Sequence, residues 1–149
     1  MKQKWLFEGV VALLIVLFTY TAVSKYLAYE KFVHQMQLAP VPLLKGIAPV
    51  LGWVMPAIEI IIVCLLLFNQ YKIWGIYASL CLLVLFELYI SAMLLSGLRL
   101  PCTCGGIVSK MTWKQHLLFN AVFILLCILA IVQYRQYKRS FNPTPLITR

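Results

Sequence analysis

Four long apolar stretches, about residues 5–24, 50–68, 73–96 and 113–132, leave this chain one kind of solvent for most of its length. A helix that crosses a bilayer needs about 20 predominantly apolar residues, with every backbone polar group satisfied inside the segment, because lipid offers no partner. All four stretches meet that length, so the sequence predicts an all-α membrane protein, a four-transmembrane-helix bundle. Composition agrees: 63% of residues are hydrophobic and 11% charged, against roughly half and a quarter in a soluble domain. That leaves too little polar surface to cover a water-soluble core. Trp5, Trp53, Trp74 and Trp113 each fall at or near the start of a stretch, where interfacial anchors belong.

The net charge of +9 does not point to nucleic acid. Its cations lie at the ends of apolar runs rather than in one stripe with stacking aromatics, which is the pattern of membrane flanks. Residues 1–133 form the transmembrane domain, with a loop at 97–112, and 134–149 form a basic tail that is unstructured after Phe141. Lys2 and Lys4 ahead of an apolar run, with Ala22-Val23-Ser24 behind it, also fit a signal peptide. The run is long for one, and the role of Lys25 described below requires the helix to stay.

Pro49 and Pro56 are expected to kink or locally open the second span near its start. The short turn at 69–72 makes spans two and three antiparallel neighbours. Thr112 and Gln115 fit a capping box that opens the fourth span at Trp113. Residues 29–38, mixed in polarity and followed by Pro40 and Pro42, predict a short helix on the membrane surface. Four spans place both termini on one side. That side carries seven Lys and Arg residues and the other six; the first helix and the membrane-proximal tail cations favour cytoplasmic termini.

Outside the spans there is no room for a catalytic domain, so chemistry must sit in a loop or inside the bundle. The sharpest candidate is Pro101-Cys102-Thr103-Cys104-Gly105-Gly106, between spans three and four. Two cysteines one residue apart can close a disulfide, since their Cα atoms lie roughly 5–7 Å apart. The tight ring makes that disulfide easily reduced and therefore of the exchanging kind. Gly105 and Gly106 allow unusual backbone angles and close approach by another protein, while Arg99 and Lys110 favour thiolate. Two inert thiols or half of a metal site are the alternatives. Zinc wants four ligands and only His116 is near, so no metal is assigned. Cys64, Cys81 and Cys127, at similar depth inside three spans, are expected to be small packing residues.

Ionisable residues inside a span are functional candidates because burying them is costly. Lys25 at the end of span one, Glu59 in span two and Glu87 in span three all fall in the half of the membrane nearest the cysteine loop. A Lys25–Glu59 ion pair with Glu87 close by would neutralise charge and hold the helices in register. Such a group is either purely structural or a proton relay for thiol or quinone chemistry. His34, His116 and Glu8 are expected at the interface, and Asn120 in a hydrogen bond between helices.

With Ser24-Lys25, Pro56-Ala57-Ile58-Glu59, Cys102-Thr103-Cys104-Gly105-Gly106, Thr112-Trp113 and Asn120 in place, the chain resembles the MauE family of methylamine-utilisation membrane proteins. That family lies within a broader DoxX-like group of small four-helix proteins, and the resemblance runs from about Leu6 to Val132. It implies a multi-pass protein of the bacterial inner membrane with its Cys-x-Cys loop facing the periplasm. It also implies a thioredoxin-like periplasmic partner and a client protein whose disulfides are formed or maintained. On that basis Cys102 and Cys104 are the reacting residues, as in a thiol-disulfide oxidoreductase. Lys25, Glu59 and Glu87 support them, and Gly105, Gly106, Trp113 and Asn120 position the loop and helix. No cofactor is assigned from the sequence. A quinone is the candidate electron acceptor, although quinone-linked oxidases with four-helix bundles use more than one cysteine pair. A non-catalytic anchor or accessory subunit of a larger complex is the main alternative, ahead of a small-solute transporter.

Overall fold

The computed structural model describes residues 2–38, 42–95 and 113–141. They form five helices: α1 (Lys2–Leu27), α2 (Tyr29–Leu38), α3 (Pro42–Leu67), α4 (Lys72–Leu95) and α5 (Trp113–Phe141). Four of these are long and apolar enough to cross a membrane, over Trp5–Leu27, Pro42–Leu67, Lys72–Leu95 and Lys114–Gln136. Around the bundle the order is α1, α3, α4, α5, with α1 and α4 on the diagonal.

Each spanning helix turns one narrow stripe inward. Val11, Leu14, Phe18, Ala22 and Lys25 are buried along α1, and Gly52, Pro56, Glu59, Ile62 and Leu66 along α3. These spacings of three and four residues are those of one helix face. The opposite faces carry large apolar side chains in the open: Val16 is 67% exposed, Leu85 55% and Leu118 69%. Such an apolar perimeter is sustainable only against lipid. Cys127 lies in the core, fully buried with Leu14 and Ile76, whereas Cys64 and Cys81 are exposed on the outer face. Packing as the role of the intramembrane cysteines therefore holds for Cys127 alone. The other two sit on the lipid-facing side of α3 and α4.

The second span begins at Pro42, not near residue 50, and runs without a break through Pro49 and Pro56. Proline suits a first helical turn, where the missing N–H would be unpaired anyway. The two inner prolines leave only the carbonyls of Lys45 and Gly52 without their usual donors. The earlier start has a structural reason: α2 packs against the first half of α3, with Phe32, Val33 and Met36 closing on Ala48. Glu30, Lys31, His34 and Gln37 point away from that contact. Tyr29 adds a hydrogen bond from its hydroxyl to the Pro49 carbonyl at 3.1 Å. Consequently Trp53 is well inside α3 rather than at its start, edge-on to Tyr26 and tilted against Tyr29 where α1 gives way to α2. Trp5 and Trp74 sit near the beginnings of α1 and α4, 78% and 66% exposed.

The turn between α3 and α4 spans residues 68–71 and is closed by the Tyr71 N–H donating to the Phe68 carbonyl at 2.9 Å. At this end of the bundle Lys72 donates to both carboxylate oxygens of Glu8, at 2.9 and 2.7 Å. Arg135 donates to the Tyr77 hydroxyl at 3.0 Å, and Phe7 stacks on Tyr134. The start of α5 at Trp113 matches the expected boundary, while residues 134–141 of the basic tail continue the helix.

Candidate functional site

The inward stripes of α1 and α3 would be wholly apolar but for one residue on each. Lys25 occupies the last turn of α1 and Glu59 the middle of α3, both in register with the leucines and phenylalanines of the core. Because α1 and α3 pack closely, the two side chains meet: Lys25 Nζ donates to Glu59 Oε1 at 2.6 Å. Only 2% of the lysine and 1% of the glutamate side chain is exposed. Two opposite unit charges this close and this dry attract strongly, and each removes the desolvation penalty the other would suffer alone. The ammonium also lies 5.2 Å from the centre of the Phe86 ring on α4, whose π face adds a further favourable contact.

Glu59 Oε2 is buried without a hydrogen-bond partner. Glu59 is one of the residues that line a small cavity of about 30 Å³ between all four spanning helices. Leu17, Phe18 and Thr21 line it from α1, Leu83 and Phe86 from α4, and His116, Phe119 and Asn120 from α5. The Thr21 hydroxyl donates to the Phe18 carbonyl at 3.3 Å within α1, and it also lies close enough to the Glu59 carboxylate to interact with it. His116 and Asn120 are each 5% exposed, and the Asn120 Nδ2 has no hydrogen-bond partner. The interhelical bond expected of this asparagine is thus not made by its amide nitrogen. His116, expected at the interface, is instead inside the bundle. The reason is the rotation of α5: His116, Asn120, Cys127, Ala130 and Ile131 recur at helical spacing on its single buried stripe.

Glu87 follows Phe86 on α4 but does not line the cavity. It is partly buried, and its Oε2 has no hydrogen-bond partner. Among the described residues it forms no ion pair, so Lys25 is shared with Glu59 alone. The Glu8–Lys72 pair was not apparent from the sequence, although both residues are near helix starts on the terminal side. Glu8 is 43% exposed there, in keeping with the interfacial position expected of it. Cys102, Cys104, Gly105 and Gly106 lie outside the described residues, in the connection from α4 to α5; Trp113 is the first residue of α5.

What this arrangement can do chemically is limited by size. A volume near 30 Å³ holds one or two water molecules, whereas a benzene-sized ring needs on the order of 150 Å³. A quinone ring therefore does not fit this cavity, and no step is drawn through one. Among the described residues no cluster of three His, Cys, Asp or Glu side chains is placed to hold a metal ion. What remains is a neutralised charge pair beside a water-sized space, with Glu59 Oε2 and Asn120 Nδ2 lacking a hydrogen-bond partner among the residues around it.

No curated protein and no solved structure matches the chain. A family model does, described as Methylamine utilisation protein MauE, and it covers residues 3–133. That range takes in the first three spanning helices and the fourth through Gln133, the buried Lys25–Glu59 pair and the connection that carries Cys102 and Cys104. On this match, which spans most of the chain, the protein belongs to the MauE family.

Proposed function

We propose that this protein is a membrane thiol–disulfide redox protein that exchanges electrons through Cys102 and Cys104 with a thioredoxin-like partner, in support of disulfide formation in a client protein. The observation that carries the reading is the position of Cys102-Thr103-Cys104 in the chain. The pair falls on the connection between α4 and α5, and the first turn of α5 carries His116 into the cavity beside Lys25–Glu59. Membership of the MauE family supports it. In this proposal both termini are cytoplasmic, the loop faces the periplasm and the bilayer is the bacterial inner membrane.

The exchange is balanced between the two proteins. A partner thiolate attacks one sulfur of the Cys102–Cys104 disulfide, forming a mixed disulfide and releasing the other cysteine as thiolate. The partner's second thiol then displaces the first, leaving the partner oxidised and the pair reduced, with two electrons and two protons transferred. The reverse sequence runs when the partner is the stronger oxidant. In Cys104→Ser the Cys102 thiolate can still attack the partner's disulfide, releasing one partner thiolate, but no second thiol of this protein completes the exchange, so alkylated, non-reduced membranes should hold a covalent partner adduct that dithiothreitol releases. Client disulfides should be lost in Cys102→Ser and in Cys104→Ser. If both variants keep client disulfides at the parental level and no adduct forms, the protein is an anchor or accessory subunit instead.

A further inference from the structure

The buried polar groups of α3 and α5 are more informative than the ion pair itself. An ion pair that only held helices together would be expected to satisfy its remaining lone pairs, because an unpaired buried acceptor is costly, and more so when charged. Here Glu59 Oε2 lacks a partner with 1% of the side chain exposed, and Asn120 Nδ2 lacks one with the residue 5% exposed. One is an acceptor and the other a donor. Both residues line one cavity of about 30 Å³, a volume suited to one or two waters that need two to four polar partners each.

From this juxtaposition we infer that the cavity between Glu59 and Asn120 is an internal water site, through which the Lys25–Glu59 pair exchanges protons with the α5 end of the bundle. Water donates to Glu59 Oε2 and accepts from Asn120 Nδ2, so that α1, α3 and α5 are joined in one hydrogen-bonded chain. Every face of the site has a defined character. α1 presents Lys25 and Thr21, α3 presents Glu59, and α5 presents His116 and Asn120; α4 contributes only the apolar Leu83 and Phe86. Glu87 on α4 is outside the lining. His116 lies one helical turn before Asn120, toward the start of α5, lines the same cavity and is the side chain by which protons reach the site from that end. In each transfer a proton leaves one oxygen or nitrogen along the chain as another arrives, and no oxidant or reductant is involved. The inference stands on this cavity alone and is independent of whether Cys102 and Cys104 react.

Asparagine labelling tests it directly, since the chain has three asparagines, Asn69, Asn120 and Asn142. Full-length protein carrying ¹⁵N-asparagine and ¹⁵N-lysine is reconstituted into deuterated lipid vesicles, and water-to-amide magnetisation transfer is recorded by solid-state NMR. The Asn120 side-chain signal, identified by its loss in Asn120→Ser, is expected to show a direct water cross-peak. Transferred to D₂O, its amide protons and those of Lys25 Nζ exchange, and His116→Phe slows that exchange by about tenfold by closing the route from the α5 end. Asn120→Leu, which fills the space with apolar atoms, is expected to remove exchange at Lys25. Should that variant fail to fold, the water cross-peak in the parent and the His116→Phe rate still decide the matter. A dry Asn120 signal with Lys25 protons retained for days overturns the water site. A wet signal whose exchange is indifferent to His116→Phe overturns the route.

Discussion

A lysine and a glutamate held 2.6 Å apart, each at most 2% exposed, bind α1 to α3 at a point where neither charge could stand alone. Removing one partner of such a pair leaves an uncompensated charge in a low-dielectric interior, at a cost of roughly 3–5 kcal/mol, whereas replacing both with apolar residues of similar volume is often close to neutral. Glu59→Leu and Lys25→Met should therefore each destabilise the folded bundle by about that amount, and the double variant should regain most of the loss. Chemical unfolding in mild detergent, analysed as a double-mutant cycle, measures this. Additive losses in the double variant would mean that the pair is uncoupled. The contrast within the same molecule is Glu8–Lys72, where Glu8 is 43% exposed. Glu8→Gln is expected to change stability by less than about 1 kcal/mol, and less still at high salt.

Two of the helix contacts depend on the absence of a side chain. A Cβ added at Gly52 would lie 2.6 Å from Tyr29 Cε2 and 2.8 Å from Val33 Cγ2, so this glycine sets how closely α2 seats on α3. At Gly75 the added carbon would meet the fully buried Leu66, 2.8 Å from its Cδ2 and 3.1 Å from its backbone nitrogen. By contrast, Gly46 has open space around it. Alanine favours a helix over glycine by about 1 kcal/mol, so Gly46→Ala should be neutral to stabilising. Gly52→Ala and Gly75→Ala should lose more than that gain, with Gly52→Ala specifically raising amide hydrogen exchange in α2. Composition alone does not separate these glycines. Gly46 and Gly52 stand six residues apart on one helix, and only the seating of α2 makes one of them costly to change. The same limit applies to the start of α3: Pro49 and Pro56 predict a kinked or locally opened helix near the start of the span, but with α2 packed against it the helix runs from Pro42 through both without a break.

At the scale of the whole molecule, what could be read in the chain was what depends on local cost. The number of spans follows from apolar length, and the meeting of Lys25 with Glu59 follows from the expense of isolating either in lipid. What escaped was rotation about a helix axis. His116 and Asn120 face inward because they share a stripe with Cys127, Ala130 and Ile131, a pattern that becomes informative once that face is known to be the buried one. Orientation in the membrane is a property of the whole chain in the same sense, because no single residue decides it. Seven cations on the terminal side against six on the other are a narrow margin. Lys2 and Lys4 supply it and sit before the first helix to insert. In a chain with its native cysteines replaced, a membrane-impermeant maleimide should label Ser96→Cys in intact cells and Asn142→Cys only after permeabilisation. Adding Lys2→Gln and Lys4→Gln takes the terminal side from seven cations to five, against six opposite, and should populate the inverted form, so that both positions label in part before permeabilisation. The opposite labelling pattern in the unaltered background would place Cys102 and Cys104 in the reducing cytosol, where a labile disulfide does not persist. The proposed exchange with a periplasmic partner would then have no site, while the water site proposed between Glu59 and Asn120, which does not depend on sidedness, would be unaffected.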